Sequence, residues 1–128
     1  MKFLILIFLF SGSLVAEECQ GDSCNLLGKE LQDCSTSPMT GYSRSGSCDY
    51  YQGDSGRHLV CAQVTKEFLE YTKSKGNDLS TPSPRYGFQG LKPGDRWCLC
   101  SARYLEAKNA GIPLKMIKSA TNAKAFSD

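Results

Sequence analysis

The chain has 128 residues, seven cysteines and a formal net charge of +2. That length makes one domain, which can bury about 60–70% of its unfolded surface without obligatory staples. So small an excess of base over acid gives no case for nucleic acid or an anionic membrane surface as a partner, and no Asn-x-Ser/Thr sequon calls for N-glycosylation.

The N-terminus has the composition of a secretory signal: Lys2, an apolar run from Phe3 to Phe10, then small residues to Ala16. The run is too short to span a bilayer, which needs about 20 residues in a helix. Cleavage is expected after Ala16, with Ser13 the competing position. This divides the chain into a signal peptide over 1–16, a polar lead over 17–25 and one globular domain over 26–128. The product is expected in the secretory lumen or outside the cell, with no membrane contact after cleavage, in an oxidising compartment where disulfides form.

All seven cysteines lie beyond the signal, and an odd number leaves at least one outside intramolecular bridges. Cys19 and Cys24 suit a local disulfide pinning the lead. Leu26 to Leu31 reads as a first short strand, weakened by Gly28. The Ser, Thr, Gly and Pro content of Ser35 to Ser47 makes it a loop. Cys34 and Cys48 bracket it, and a bridge between them would close about 15 residues, worth about 3 kcal/mol.

The tetrapeptide Gly53-Asp54-Ser55-Gly56 looks like the surroundings of a trypsin-type nucleophile. Enzymes of that kind place the base and carboxylate far upstream, whereas the one histidine here is His58, three residues after Ser55. The protease reading is rejected, and a Gly-rich turn suffices. Leu59 to Val64 fits a buried strand. Thr65 is the expected cap of a helix over Lys66 to Lys75, with Phe68, Leu69 and Thr72 inward and Gly76 ending it.

From Gly76 to Arg103 the chain cannot be one helix or a central strand, because Pro82, Pro84 and Pro93 interrupt it. Between these breakers sit Asn77, Asp78, Ser80, Thr81, Asp95, Arg96, Trp97, Cys98 and Cys100, a dense load of capable groups on a long loop. Arg96 to Ser101 is strand-like, and alternation puts Trp97 and Leu99 on one face, Cys98 and Cys100 on the other. Ala102 to Ala110 reads as a helix with Ala102 and Leu105 inward, and Pro113 to about Ala125 as a last amphipathic helix. The mixed order predicts a compact α+β domain, a small mixed or antiparallel sheet packed with about three helices.

Three runs, NLLGKELQDCSTSPMTGYSRSGSC, RHLVCAQVTKEFLEYTKSKGND and GNDLSTPSPRYGFQGLKPGDRWCLCSARY, closely resemble the small, mainly bacterial proteins of the domain of unknown function 2237 family, in the same order and from about Asn25 to Ala125. The family is named for the absence of a known activity, so the resemblance implies little about chemistry. It implies that Cys34, Cys48, Cys61, Cys98, Cys100 and His58 belong together, with Cys19 and Cys24 as additions outside the match. It also implies a histidine where this chain has Asn122. Relatives without a signal peptide would hold those cysteines in reducing cytosol, where clusters more often bind metal or catalyse.

Three functions are weighed on these residues. In the first, Cys61, Cys98, Cys100 and His58 form a small-ligand or metal-binding module. They could converge on zinc or copper, although the lone Cys-x-Cys departs from usual zinc spacing. Asn77, Asp78, Ser80, Thr81, Arg96 and Trp97 would be the ligand contacts. In the second, Cys98 or Cys100 is the nucleophile of a thiol-dependent enzyme, placed before a helix whose unpaired N–H groups favour an anion. His58 would be the base, with Asp95 or Asp78 orienting it. The third is a structural, disulfide-stabilised secreted domain. There Trp97 is core and the cysteines are bridged, Cys98 and Cys100 each seeking Cys61, Cys34 or Cys48 because a direct bridge between them is too wide.

Overall fold

The computed structural model describes residues 18–127; the expected signal peptide lies outside the described residues. A three-stranded antiparallel sheet in the order β2-β1-β3 is built from β1 (His58–Gln63), β2 (Arg96–Cys100) and β3 (Lys115–Met116). Two α-helices accompany it, α1 (Lys66–Ser74) and α2 (Ser101–Asn109), so the architecture is α+β.

β1 is central and nearly all apolar, which suits a strand covered on both faces. Leu59, Val60, Ala62 and Val64 pack with Trp97 and Leu99 of β2, Phe68 and Leu69 of α1, and Tyr104 and Ala107 of α2. Cys61 and Cys98 instead join Cys34, Cys48 and Ala120 in a second buried cluster. The alternation read from β2 therefore separates two cores, one of side-chain packing and one of sulfur.

Thr65 caps α1 as its sequence requires: the hydroxyl accepts from Phe68 N at 3.0 Å. Phe68, Leu69 and Thr72 are its buried face, and Gly76 follows with φ 92°. α2 is turned relative to expectation. Ser101, Tyr104 and Ala107 face inward, while Ala102 and Leu105 are exposed. The helix starts one residue earlier than its apolar pattern suggests, because the backbone N–H of Ser101 donates to Arg57 O at 3.0 Å and the Ser101 hydroxyl to the same oxygen at 3.1 Å.

Two expected elements do not form. The last helix is replaced by β3, a single 3-10 turn over Lys118–Ala120 and further turns, making two α-helices among the described residues instead of three. Here the backbone serves β1: Ile117 N donates to Cys61 O at 2.8 Å and Asn122 N to Leu59 O at 2.9 Å, while the Thr121 hydroxyl accepts from Cys61 N at 3.0 Å. Those bonds satisfy β1's buried edge, which an isolated helix would leave orphaned. Leu26 to Leu31 is likewise not a strand but a turn, since Asn25 Oδ1 accepts from the backbone of Leu27 at 2.9 Å and Lys29 at 3.0 Å.

Candidate functional site

Three disulfides organise the cysteines: Cys19–Cys24, Cys34–Cys61 and Cys48–Cys98. The lead is thus pinned locally, but the expected Cys34–Cys48 bridge is not formed. Each of those two cysteines reaches a strand of the sheet, and Cys61 and Cys98 are direct partners across the β1–β2 ladder. The bridges therefore fasten both ends of the Ser35 to Ser47 loop to the sheet rather than to each other.

This pairing overturns the metal reading. The sulfurs of Cys34, Cys48 and Cys61 lie within 4.8 Å of one another, yet each is spent in a disulfide, and the metal ligand is a thiolate. Of the expected set Cys61, Cys98, Cys100 and His58, two sulfurs are unavailable to zinc or copper. The same bond removes Cys98 as a nucleophile. Cys100 is the cysteine left free, half-buried at the end of β2.

Cys100 stands opposite His58 in the antiparallel register. The register shifts between His58 and Val60, so this pair sits at a β-bulge, which re-aims side chains at the strand end, and the ring of His58 is hydrogen-bonded to Asp54 and not to the Cys100 sulfur. The carboxylate of Asp54, 5% exposed, holds His58 from behind: Oδ1 lies 2.7 Å from the ring Nδ1, and Oδ2 accepts from the His58 backbone N at 2.8 Å. The Asp54 bond engages Nδ1 and leaves Nε2 as the ring nitrogen free for a further partner.

The turn that makes this possible is short and constrained. Arg57 adopts φ 50°, left-handed for a non-glycine residue, and the carbonyl it presents is the one that takes Ser101 N and Oγ. The Asp54 to His58 turn is thereby tied to the residue after Cys100. Gly56 completes it, because a Cβ there would sit 2.7 Å from His58 Cε1.

His58 and Cys100 line a cavity of about 410 Å³, within the range of small-molecule sites. It is lined by Tyr42 and Arg44 of the 41–44 turn, by Asn77, Asp78, Leu79, Ser83, Tyr86 and Phe88 of the segment before β2, and by Trp97 of β2 itself. Tyr42 stacks near His58, ring centroids 6.4 Å apart. The 40–48 segment is held to β2 by the Cys48–Cys98 bridge and by the Thr40 hydroxyl, which accepts from Cys98 N at 2.9 Å.

Of the residues expected to bind a ligand, Asn77, Asp78 and Trp97 reach this cavity. Ser80, Thr81 and Arg96 do not line it, and neither does Asp95. Asp78 accepts from Ser80 N at 2.9 Å, Thr81 N at 3.1 Å and the Thr81 hydroxyl at 2.6 Å. The Thr81 hydroxyl, followed by those backbone donors, holds its carboxyl below its ordinary pKa. Asp95 closes the turn before β2 by accepting from Lys92 N at 2.8 Å. Neither Asp78 nor Asp95 orients His58; Asp54 does. In the sequence Asp54 shows only as the i−4 neighbour of His58, inside a tetrapeptide whose protease likeness the position of that histidine rules out. Arg44, Tyr42, Tyr86 and Phe88 carry no local signal, since the fold alone brings them together. Asn122, where the family resemblance implies a histidine, is fully buried and donates to Asp22 O and Cys48 O, each at 3.1 Å.

A family model described as "Uncharacterized protein conserved in bacteria (DUF2237)" matches residues 24–128. The match starts at Cys24, so Cys19 alone of the cysteines lies before it. No curated protein matches the chain. Spanning nearly all the described residues, the match shows that the chain belongs to the domain of unknown function 2237 family.

Proposed function

We propose that this is a secreted or luminal protein that binds a small molecule in the Cys100 cavity and acts on it through the Cys100 thiol, with His58 as base and Asp54 orienting the imidazole. The observation that carries the reading is the alignment of three roles: a cysteine outside the bridges, a histidine paired with it across the ladder at a β-bulge and lining the same cavity, and a buried carboxylate on Nδ1 of that histidine. Such a chain is the arrangement by which a thiol becomes a nucleophile. The three disulfides are typical of proteins of oxidising compartments, which supports the location.

The chemistry that suits these groups is acyl transfer. The thiol proton passes to His58 Nε2 as the sulfur bonds to the carbonyl carbon. The leaving group departs with that proton, and water releases the acyl group by the reverse route. Asn77 and Trp97 would be contacts for the bound molecule.

Reaction with p-nitrophenyl acetate tests this. A burst of p-nitrophenolate with one acetyl thioester on Cys100 is expected, absent in Cys100→Ser and slowed at least about 100-fold in His58→Gln. A burst that survives Cys100→Ser, or none in the unmodified protein, contradicts the reading.

A further inference from the structure

The Cys100 cavity adjoins a second one of about 290 Å³, and the two share Arg44, Tyr86, Phe88 and Trp97. At their junction the Arg44 guanidinium lies 5.0 Å from the centroid of the Trp97 ring. Its Nη1 donates to Gly41 O at 2.6 Å. No carboxylate pairs with it among the described residues. Arg44 holds a left-handed backbone, φ 61°, in a turn closed by its own N–H donating to Gly41 O at 3.0 Å. Backbone of that kind in a non-glycine residue costs energy and is held by its surroundings. Here it returns the guanidinium over the tryptophan.

A guanidinium carries five donors in a planar fork, so one bond to Gly41 leaves the fork able to take a carboxylate. Stacking on an aromatic face fixes its plane without consuming those donors. The one carboxylate on the cavity wall, Asp78, is engaged by its own turn through three accepted hydrogen bonds. The exposed apolar side chains Met39, Tyr42 and Tyr86 rim the two cavities, and apolar surface gathered around a concavity marks a binding site.

We infer that the cavity recognises a carboxylate, bound by Arg44, on a molecule whose apolar body lies against Trp97 and Phe88. This deepens the acyl-transfer reading by naming the substrate class, an acyl compound bearing a free carboxylate. It rests on that reading only for what happens at Cys100.

The probes are 3-phenylpropionate and its neutral amide, 3-phenylpropanamide. The readouts are emission of Trp97, the chain's single tryptophan, and the slowing of Cys100 alkylation by iodoacetamide within each protein. The acid shifts Trp97 emission saturably and protects Cys100, and the amide binds at least about 10-fold more weakly, as loss of a charge-assisted hydrogen bond requires. Arg44→Gln brings the acid down to the amide's affinity, and Arg44→Lys recovers part of the difference. Equal binding of acid and amide to the unmodified protein overturns the inference, as does an absence of saturable response to the acid or an Arg44→Gln protein that binds it undiminished. The p-nitrophenyl acetate burst is scored separately, so loss of the acyl reading and loss of the carboxylate site give different results.

Discussion

Asp54 spends both carboxylate oxygens on one residue, Oδ1 on the ring and Oδ2 on the backbone N of His58. A buried carboxylate with two good donors is satisfied, and removing either bond exposes the cost of burying it. The asymmetry matters for the site: one oxygen holds the strand start in place, the other selects which imidazole nitrogen faces the cavity.

Asp54→Asn separates these effects. The amide oxygen can accept from the His58 backbone N while its NH₂ donates to Nδ1, which puts the imidazole proton on Nε2, the nitrogen that has to accept from the thiol. Urea unfolding should show a loss of only about 1–2 kcal/mol, from replacing charge-assisted bonds by neutral ones. The Cys100 acylation burst should fall by about 10- to 100-fold even where the variant is fully folded. A variant destabilised but undiminished in burst would make Asp54 purely structural.

Gly56→Ala probes the same ring from its other side. The added Cβ would lie 2.7 Å from Cε1, closer than such atoms approach, so the imidazole must move. The backbone φ of Gly56 is not among the positive ones, so the cost lies in weakening the buried Asp54–His58 bond as the ring shifts, about 1–3 kcal/mol. Burst kinetics should approach those of His58→Gln, and a crystal structure should show the ring displaced.

Much of this was readable from the chain, and the reason differs by element. The cap at Thr65 and the buried run of β1 are decided by neighbours within a few residues, and both formed close to where the sequence puts them. The segment after Pro113 departs from its helical periodicity because Thr121 and Asn122 bond to β1, about 60 residues away, and local periodicity contains nothing of that ladder edge. The cysteine pairing is set the same way: Cys34 and Cys48 are close in sequence, but their partners are chosen by the adjacency of Cys61 and Cys98 across two strands. Asp54 could have been found by asking which carboxylate lies four residues from the single histidine.

The bridge from Cys48 to Cys98 spans a sequence separation of 50, for which chain entropy implies about 4 kcal/mol. Replacing both with alanine should lower stability by that order in urea unfolding, and should loosen the 41–44 wall of the cavity. Removing Cys19 and Cys24 together, a separation of 5, should cost only about 2 kcal/mol. Equal losses from the two pairs would contradict this ranking.

Asp78 gives the 77–81 turn a pH dependence. Its folded pKa lies below the ordinary 3.8, chiefly through the Thr81 hydroxyl, then the backbone N–H groups of Ser80 and Thr81, with Lys73 contributing least and slight burial opposing. A depressed folded value means that the stabilisation is fully present above 3.8 and is lost as pH falls through the folded pKa. The Tm difference between the unmodified protein and Asp78→Asn should be constant from neutral pH to about pH 5 and shrink below 3.8. A difference that persists at the acid end would place the turn's stability elsewhere.

The central claim is that Cys100 and His58 act as one unit, and the rate of Cys100 alkylation by iodoacetamide at neutral pH tests it most directly. The account predicts that Cys100 alone is labelled in the native protein and that in His58→Gln the rate falls at least about 10-fold. Equal rates in the two folded proteins would show that the histidine across the ladder does nothing for the thiol.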